Sequence, residues 1–304
     1  MTQAAKSWPE VPTAGWLETC ATIQMWTQIV GKVKLARAPM SNHWWNIAFY
    51  VTPRGLTTSV IPDGNRAFQI DFDFLAHRLI ISASDGKREE MTLAARPLLE
   101  FYNEFFARLR SLGLDTKIWP VPVELPEAVP FTEDRGHSEY DPAIAERVSQ
   151  VFVLADQALR SCGSDFLGKV SPVHFFWGGI DLAVTRFSGR RAPEHPGGIP
   201  NLAVWATREA YSHEVASFGF WPGTAGRYER PAFYAYAYPE PSGFAAATVQ
   251  PDAASYSEAL REYLLPYDAI RSDADPTAAV QTFVRSVYDA AASLGGWDRA
   301  ALER

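Results

Sequence analysis

The sequence predicts an α+β fold in which two similar helix–strands–helix units form antiparallel sheet, with the helices packed on one face. In both halves of the 304-residue chain, stretches with strand periodicity are bracketed by stretches with helical periodicity. The first strand of each half opens on a histidine and two aromatic residues, at 43–45 and at 174–176. Each closing helix carries a phenylalanine 11 residues before a Leu-Gly pair, at 112–113 and at 294–295. This shared order and spacing predicts an internal pseudo-repeat.

Proline positions divide the chain into four segments. Pro9 and Pro12 disfavour helix near the start, and a connector with four prolines separates the two units. We expect an N-terminal arm at 1–12, a first α+β unit at 13–115, the connector at 116–140 and a second α+β unit at 141–304. The two units are expected to form one compact globule.

The first unit is predicted to contain two helices with strands between them. A helix is predicted at 16–35, because Ile23, Trp26 and Val30 recur at spacings of three and four. The closing helix at 96–112 has Pro97 near its first turn and Gly113 behind it. Strands are predicted between these helices at 42–52, 57–61, 68–74, 79–84 and 90–93.

The second unit repeats this order. Asp141-Pro142 and Asp275-Pro276 each combine an N-cap with a first-turn proline, which predicts helices starting at both places. The segment 172–191 is mostly β-branched, aromatic and aliphatic, and predicts one long buried strand bent at Gly178-Gly179. Further strands are predicted at 209–221 and 232–238, and the capping box Ser255-x-x-Glu258 predicts a short helix ending before Pro266.

Composition excludes several classes of partner. A net charge of −7 and a pI near 5.4 argue against nucleic acid or an anionic membrane surface as partner. Cys20 and Cys162 lack metal-binding or disulfide-framework spacing, and no apolar run has the length of a membrane span. We therefore expect a cytoplasmic protein. The glycine spacings of phosphate-binding loops are also missing, so no nucleotide cofactor is indicated.

Three of the six histidines fall in predicted strands among aromatic residues. Each of His43, His174 and His213 is more easily explained alone as a buried structural histidine than as a ligand. Together they offer three nitrogens to a single divalent metal, with Asp181, Glu214 or a substrate completing the coordination sphere. Since adjacent strand residues face opposite sides, His213 is the better ligand of the pair 213–214.

A metal-free site is the alternative to this centre. In that case His174 acts as a general acid or base, with Asp181 and Glu214 as the other candidate catalytic residues. We expect His174 and His213 to approach within about 8 Å, a distance that one pocket requires.

Arginines and aromatic residues suggest how a ligand is held. Arg186 and Arg190 bring positive charge near a glycine-rich turn and suit a carboxylate or phosphate, although Arg186 could instead pair with Asp181 inside the protein. Aromatic side chains could wall a pocket for a flat, sugar-like or cationic ligand, or could pack as a sheet face against a helix. The aromatic candidates are Trp44, Trp45, Trp177, Tyr234 and Tyr236.

Several blocks of sequence resemble a bacterial family catalogued as a domain of unknown function. The blocks lie at 43–45, 171–177, 183–190, 211–214 and 232–241, and the resemblance spans nearly the whole chain. It implies no activity, cofactor or site residue. The function is therefore argued from the residues, which favour a small-molecule-binding protein. Its His-containing aromatic pocket could also carry out metal-assisted or acid–base chemistry on a small substrate that could be anionic. A non-catalytic ligand-binding module is the next alternative, and a structural or interaction protein the last.

Overall fold

Two antiparallel sheets with helices packed against them make up the fold, so the predicted α+β class is confirmed. The computed structural model describes residues 8–304, and residues 1–7 of the predicted N-terminal arm lie outside the described residues. The helices are α1 (Trp16–Arg37), α2 (Leu98–Ser111), α3 (Pro142–Arg160), α4 (Val204–Ala210), α5 (Tyr267–Ile270), α6 (Pro276–Leu294) and α7 (Arg299–Leu302).

The first sheet lies in the N-terminal half of the chain. Its strands are β1 (Tyr50–Thr52), β2 (Gly55–Thr57), β3 (Ile61–Asp63), β4 (Arg66–Asp73), β5 (Arg78–Ala83) and β6 (Arg88–Thr92). They are ordered β1-β2-β4-β5-β6, and β3 also pairs with β4. Phe68, Ile70 and Phe72 alternate along β4 and are buried, which is the pattern of a strand with one face in the core.

The second sheet carries the candidate site. Its strands are β7 (His174–Phe176), β8 (Asp181–Arg191), β9 (His213–Trp221), β10 (Ala232–Tyr238), β11 (Ser255–Ser257) and β12 (Glu262–Pro266), in the order β11-β12-β10-β9-β8-β7. One face is apolar, and its residues, such as Phe218 and Phe220, belong to the core with α3 and α6. Because side chains alternate, the opposite face carries Asp181, Thr185, Ser217, Tyr234, Tyr236 and Glu262. We call it the polar face.

The two sheets meet along a seam between their first strands. Phe49 and Phe175 exchange backbone hydrogen bonds of 2.9 and 2.8 Å, and their rings stack with centroids 6.1 Å apart. The indole Nε1 of Trp177 donates to the Ile47 carbonyl at 3.1 Å. The cores of the two sheets are therefore continuous.

The segment 172–191 is a hairpin, so the prediction of one long strand is wrong. Phe176 pairs with Asp181, and the turn between β7 and β8 consists of 177–180. Ile180 has a φ of 54°, a left-handed conformation that reverses the chain where the glycine pair was expected only to bend it. The hairpin brings His174 opposite Ala183.

The opening of the first unit also differs from its prediction. Residues Asn42–Ile47 form a 3₁₀ segment in which His43 and Trp44 have φ values of 57° and 61°, and the strand begins only at Tyr50. His43 and His174 therefore do not occupy equivalent places. The structure does not confirm the pseudo-repeat.

Two local sequence signals in the second unit do not give the structure that they predict. Residues 204–210, partly predicted as strand, form α4, and β9 begins at His213. The capping box at Ser255 does not start a helix, because β11 and β12 form a hairpin that pairs with β10. The Asp-Pro signals hold, since Asp141 and Asp275 cap α3 and α6.

Candidate functional site

Three carboxyl groups from distant parts of the chain lie near one another on the polar face. Asp181 begins β8, Glu262 begins β12, and Glu124 lies in the proline-rich connector. All three residues are partly exposed, and their carboxyl groups lie largely out of solvent. We call the space between them the acid pocket.

The environment of the pocket disfavours negative charge. Burial raises the pKa of Glu124 to about 7, and repulsion from Asp181 adds to this. Burial likewise raises the pKa of Glu262 to about 7, and that of Asp181 to about 6. The pocket therefore holds carboxyl groups that exchange protons close to neutral pH.

The Gly178-Gly179 turn makes room for two of these carboxyls. A Cβ on Gly178 would overlap the Glu124 carboxyl. A Cβ on Gly179 would lie 2.9 Å from Oδ1 of Asp181 and 3.6 Å from Oε2 of Glu124. The two acids thus meet over backbone that carries no side chain, which explains the glycine pair better than a bend in a strand does.

Two glutamines of α1 hold the connector and this turn in place. Gln24 Nε2 donates to the Gly178 carbonyl at 2.6 Å. Gln28 donates from Nε2 to the Val123 carbonyl at 2.9 Å, and its Oε1 accepts from the Val123 N–H at 2.8 Å. Glu124 follows Val123 directly and has a φ of 63°, so the glutamine clamp fixes an acid with a strained backbone.

Tyr234 reaches Asp181 across an intervening strand. Its hydroxyl donates to Oδ2 of Asp181 at 2.5 Å, although β9 lies between β10 and β8. A Cβ on Gly219 would overlap the Tyr234 ring, so only glycine at this position of β9 lets the ring lie across the sheet. The hydrogen bond lowers the pKa of Asp181 and opposes the effect of burial.

A ladder of hydroxyl groups continues from the pocket along the polar face. Tyr236 stacks on Tyr234 with ring centroids 6.1 Å apart, and its hydroxyl lies 2.9 Å from that of Tyr211. Farther along, Thr185 Oγ1 lies 3.0 Å from Ser217 Oγ. Burial raises the pKa of Tyr236 to about 12, so its hydroxyl is neutral.

Arg227 is the cation that faces the acid pocket. It lies on the loop between β9 and β10, where its guanidinium sits 5.3 Å from the centre of the Trp221 ring. Its charge lowers the pKa of Glu124, Asp181 and Glu262, and no other cation of residues 8–304 contributes to any of the three. When all three acids are ionised, negative charge exceeds positive charge by two.

The histidines predicted to bind metal do not converge on one point. The rings of His43 and His213 lie 5.6 Å apart, whereas His174 lies on the other side of Trp45, at 5.5 Å from that ring. His174 and His213 pair with β8 residues eight positions apart, so the expected approach to about 8 Å is not seen. Within residues 8–304, no three Asp, Glu, His or Cys side chains are arranged to hold a metal ion.

His174 is enclosed by aromatic rings. It is 1% exposed and lies between Trp45, Tyr50 and Phe176, with centroid distances of 5.5 to 5.7 Å. Its Nδ1 is buried and has no hydrogen-bond partner among the described residues. Burial, and secondarily the charge of Lys34, lowers the pKa of His174 to about 4, so the imidazole is neutral at physiological pH.

The predicted anion-binding arginines have structural partners. Arg186 lies on the apolar face, with its guanidinium 4.4 Å from the Tyr288 ring centre, and pairs with Asp165 at 2.5 Å, so the predicted Asp181–Arg186 pair is wrong. Arg190 donates to the carbonyls of Gly295 and Gly296 behind α6, and to Glu214 at 2.8 Å. Neither these arginines nor Glu214 belongs to the acid pocket.

The predicted tryptophans pack against other parts of the fold and do not lie in the acid pocket. Trp44 donates to the Ala206 carbonyl at 2.8 Å and contacts Trp205. The ring of Trp45 lies between the rings of His43 and His174. Trp177 is 4% exposed and packs where Gly31 of α1 leaves space for it. Of the predicted site residues, Asp181, Tyr234 and Tyr236 are the ones that the structure brings together.

Sequence reasoning missed Glu124, Glu262, Arg227 and Tyr211. Two of these had a detectable signal, because Glu124 and Glu262 each have buried apolar residues on one side, Val123 before Glu124 and 263–265 after Glu262. An acid in such a place needs either a partner or a function. Their meeting could not be read from the sequence, since 138 residues separate them.

Comparison with other proteins adds the family. No described helix is long and apolar enough to cross a membrane. No curated protein and no solved structure matches the chain. The model of one family, described as a family of unknown function, DUF5996, matches residues 8–304. The chain therefore belongs to DUF5996.

Proposed function

We propose that this protein binds a small organic cation, bearing an amine or guanidinium group, in the acid pocket. The observation that carries the proposal is the convergence of Glu124, Asp181 and Glu262 on one partly open space faced by a single guanidinium. No described residue donates a hydrogen bond that lowers the pKa of Glu124 or of Glu262. A ligand cation would supply the missing counter-charge.

The tyrosines suit the remainder of such a ligand. Tyr234 and Tyr236 present stacked rings beside the carboxyls, and aromatic faces attract organic cations as well as apolar groups. The hydroxyls of Tyr211 and Tyr236 offer hydrogen bonds farther from the charge. Arg227 faces the pocket without an ion pair within 4 Å among the described residues, and an incoming cation would displace it toward solvent.

Binding of a cation would be linked to pH. Glu124 and Glu262 have pKa values of about 7, so at pH 6 they are mostly protonated and bind a cation poorly. Ionisation above pH 7 strengthens the attraction, and a bound cation in turn lowers both pKa values. Affinity should therefore rise between pH 6 and pH 8, with release of protons on binding at pH 7.

Calorimetry with benzylamine and agmatine, and with benzyl alcohol as neutral match, tests this proposal. We expect both cations to bind at pH 7.5 and the alcohol to bind at least tenfold more weakly. Glu124→Gln and Glu262→Gln should each weaken cation binding by about tenfold, which corresponds to about 1.4 kcal/mol. Glu127→Gln is the control, since Glu127 is an exposed acid of the same connector.

Two results would contradict the proposal. Equal affinity for benzylamine and benzyl alcohol would show that charge does not determine binding. Equal losses of cation affinity in Glu124→Gln and in the Glu127→Gln control would show that the overall negative charge of the protein, and not the acid pocket, determines binding.

Acid–base catalysis in the same pocket is the second candidate function. Asp181 and Glu124 have pKa values of about 6 and about 7, so both carboxyl groups exchange protons near neutral pH. General acids and bases work best with pKa values near the operating pH. In this function the bound cation is a substrate, whereas in the first the protein is a binding module without turnover.

A further inference from the structure

A second reactive cluster lies on the polar face beside Phe187 of β8. The Nζ of Lys169 is 2.8 Å from Nε2 of His43. The same Nζ lies 4.9 Å from the centre of the Trp45 ring and 4.7 Å from that of Phe187. Phe187 follows Asp181 by six residues on β8, which places the cluster roughly 20 Å from Asp181 along the strand.

Local structure fixes the state of the His43 ring. Its Nδ1 lies 3.2 Å from the carbonyl oxygen of Ala210, which can only accept, so Nδ1 carries the proton. The lone pair of Nε2 then points at Lys169. The His43 N–H donates to Glu209 at 3.1 Å, and the left-handed backbone of His43 aims the ring at the lysine.

Electrostatics at this cluster favour neutral groups. Burial against the rings lowers the pKa of Lys169, and the charge of Glu209 opposes this shift. Burial lowers the pKa of His43 as well, followed by repulsion from Lys169 and, more weakly, from His213. Lys169 as a whole residue remains exposed.

We propose that Lys169 is a nucleophile that forms a reversible imine with small aromatic aldehydes, and that His43 accepts the proton that the ammonium group must lose. The partly exposed ring of Trp45 would hold the ring of such an aldehyde beside Nζ, and the buried ring of Phe187 forms the floor beneath the amine. This site is separate from the acid pocket, and its failure would leave the cation-binding proposal intact.

The reaction balances without an oxidant or reductant. The neutral amine forms a bond to the carbonyl carbon while the C–O π pair moves to oxygen, and a proton passes from nitrogen to that oxygen. The hydroxyl group then leaves with the remaining proton of the nitrogen as water, which yields the C=N bond. Hydrolysis reverses each step.

Reductive trapping tests the proposal. The full-length protein is incubated at pH 7 with 4-hydroxybenzaldehyde and sodium cyanoborohydride, and labelling of each lysine is followed by peptide mass spectrometry. We expect Lys169 to be labelled at least tenfold faster than Lys87 and Lys117, which are exposed lysines of the same chain. In His43→Gln, which can accept a hydrogen bond but not a proton at this pH, the advantage of Lys169 should be lost.

The pH profile of the unmodified protein provides a second measurement that does not depend on folding of the variant. Labelling of Lys169 should reach its plateau at lower pH than labelling of Lys87. Labelling of Lys169 no faster than that of Lys87, with the same pH profile, would overturn the proposal.

Discussion

Glu124 illustrates how a single residue is held in a conformation that its own chemistry disfavours. A left-handed backbone costs a non-glycine residue roughly 1–2 kcal/mol, and Glu124 has a φ of 63°. Its carboxyl is also buried beside Asp181, which raises its pKa to about 7. The rest of the fold stabilises both unfavourable features, since the Glu124 N–H donates to the Pro200 carbonyl at 2.8 Å and Gln28 holds Val123. Such strain is typical of functional sites.

The raised pKa of Glu124 predicts how stability depends on pH. The folded protein binds the proton of Glu124 more tightly than the unfolded chain does, because the pKa falls from about 7 to its ordinary 4.5 on unfolding. The free energy of unfolding therefore decreases as pH rises from about 4.5 to 7 and stays low above that range. Glu124→Gln should remove this loss and raise the free energy of unfolding by about 1–3 kcal/mol at pH 8, with little change at pH 4.

Urea unfolding of both proteins at pH 4, 6 and 8 measures this difference. The exposed Glu127→Gln serves as control and should show no comparable gain at pH 8. A Glu124→Gln protein that is less stable than the parent at pH 8 would mean that the surroundings stabilise the ionised carboxyl. That result would contradict the prediction that burial destabilises the ionised form.

At the scale of elements, α1 shows what a sequence pattern conveys and what it misses. The periodic apolar residues correctly predict the helix. Gln24, Gln28 and Lys32 are polar residues outside that apolar pattern, yet all three are buried. They face the connector and the Gly178-Gly179 turn, both distant in sequence, so no local pattern could reveal their partners.

The other elements and the site also show that features set by local contacts are predictable from the sequence, whereas features set by distant contacts are not. Asp141 and Asp275 start helices through contacts within four residues, and those starts were predicted correctly. The 3₁₀ segment at Asn42–Ile47 depends on contacts with α4, and the β11–β12 hairpin depends on β10, so both were missed. Asp181 stood out as an acid in an apolar strand, whereas its neighbours Glu124 and Glu262 come from other segments.

The glutamine clamp leads to a prediction for α1. Gln28→Leu would leave the buried N–H and carbonyl of Val123 without their partners, and each unsatisfied group costs about 1–3 kcal/mol. We expect the free energy of unfolding to fall by about 2–4 kcal/mol. Cation affinity should fall as well, because the adjacent Glu124 would no longer be held in place.

Chemical denaturation and benzylamine calorimetry together measure the two effects. Gln281→Leu on α6 is the matched control, since Gln281 is exposed and should tolerate the change. A Gln28→Leu protein that keeps full stability would show that the connector is held mainly by other contacts, such as the Asn201 Nδ2 hydrogen bond to the Leu125 carbonyl at 2.6 Å.

At the scale of the whole molecule, the seam between the sheets joins the segments that the sequence divides. Phe175 is fully buried and contacts Phe49 of the first α+β unit and Phe152 of α3. Lys34 of α1 donates to the carbonyls of Ala48 and Thr58 at 2.5 and 2.6 Å. The acid pocket also depends on this union, because Gln24 and Gln28 of the first unit position the connector against the second sheet.

Continuity of the core predicts that the two sheets unfold together. Phe175→Ala removes a ring that contacts both halves and should lower the free energy of unfolding by about 3–5 kcal/mol. Phe105→Ala removes a buried ring of α2, far from the second sheet in sequence, and should have a similar effect. Native-state hydrogen exchange should show that each substitution lowers protection in β4 and β5 by the same factor as in β9 and β10, because a single cooperative transition exposes all four strands. If Phe105→Ala reduced protection only in the first sheet, the halves would be separately folding units, and the seam would be a docking interface between them.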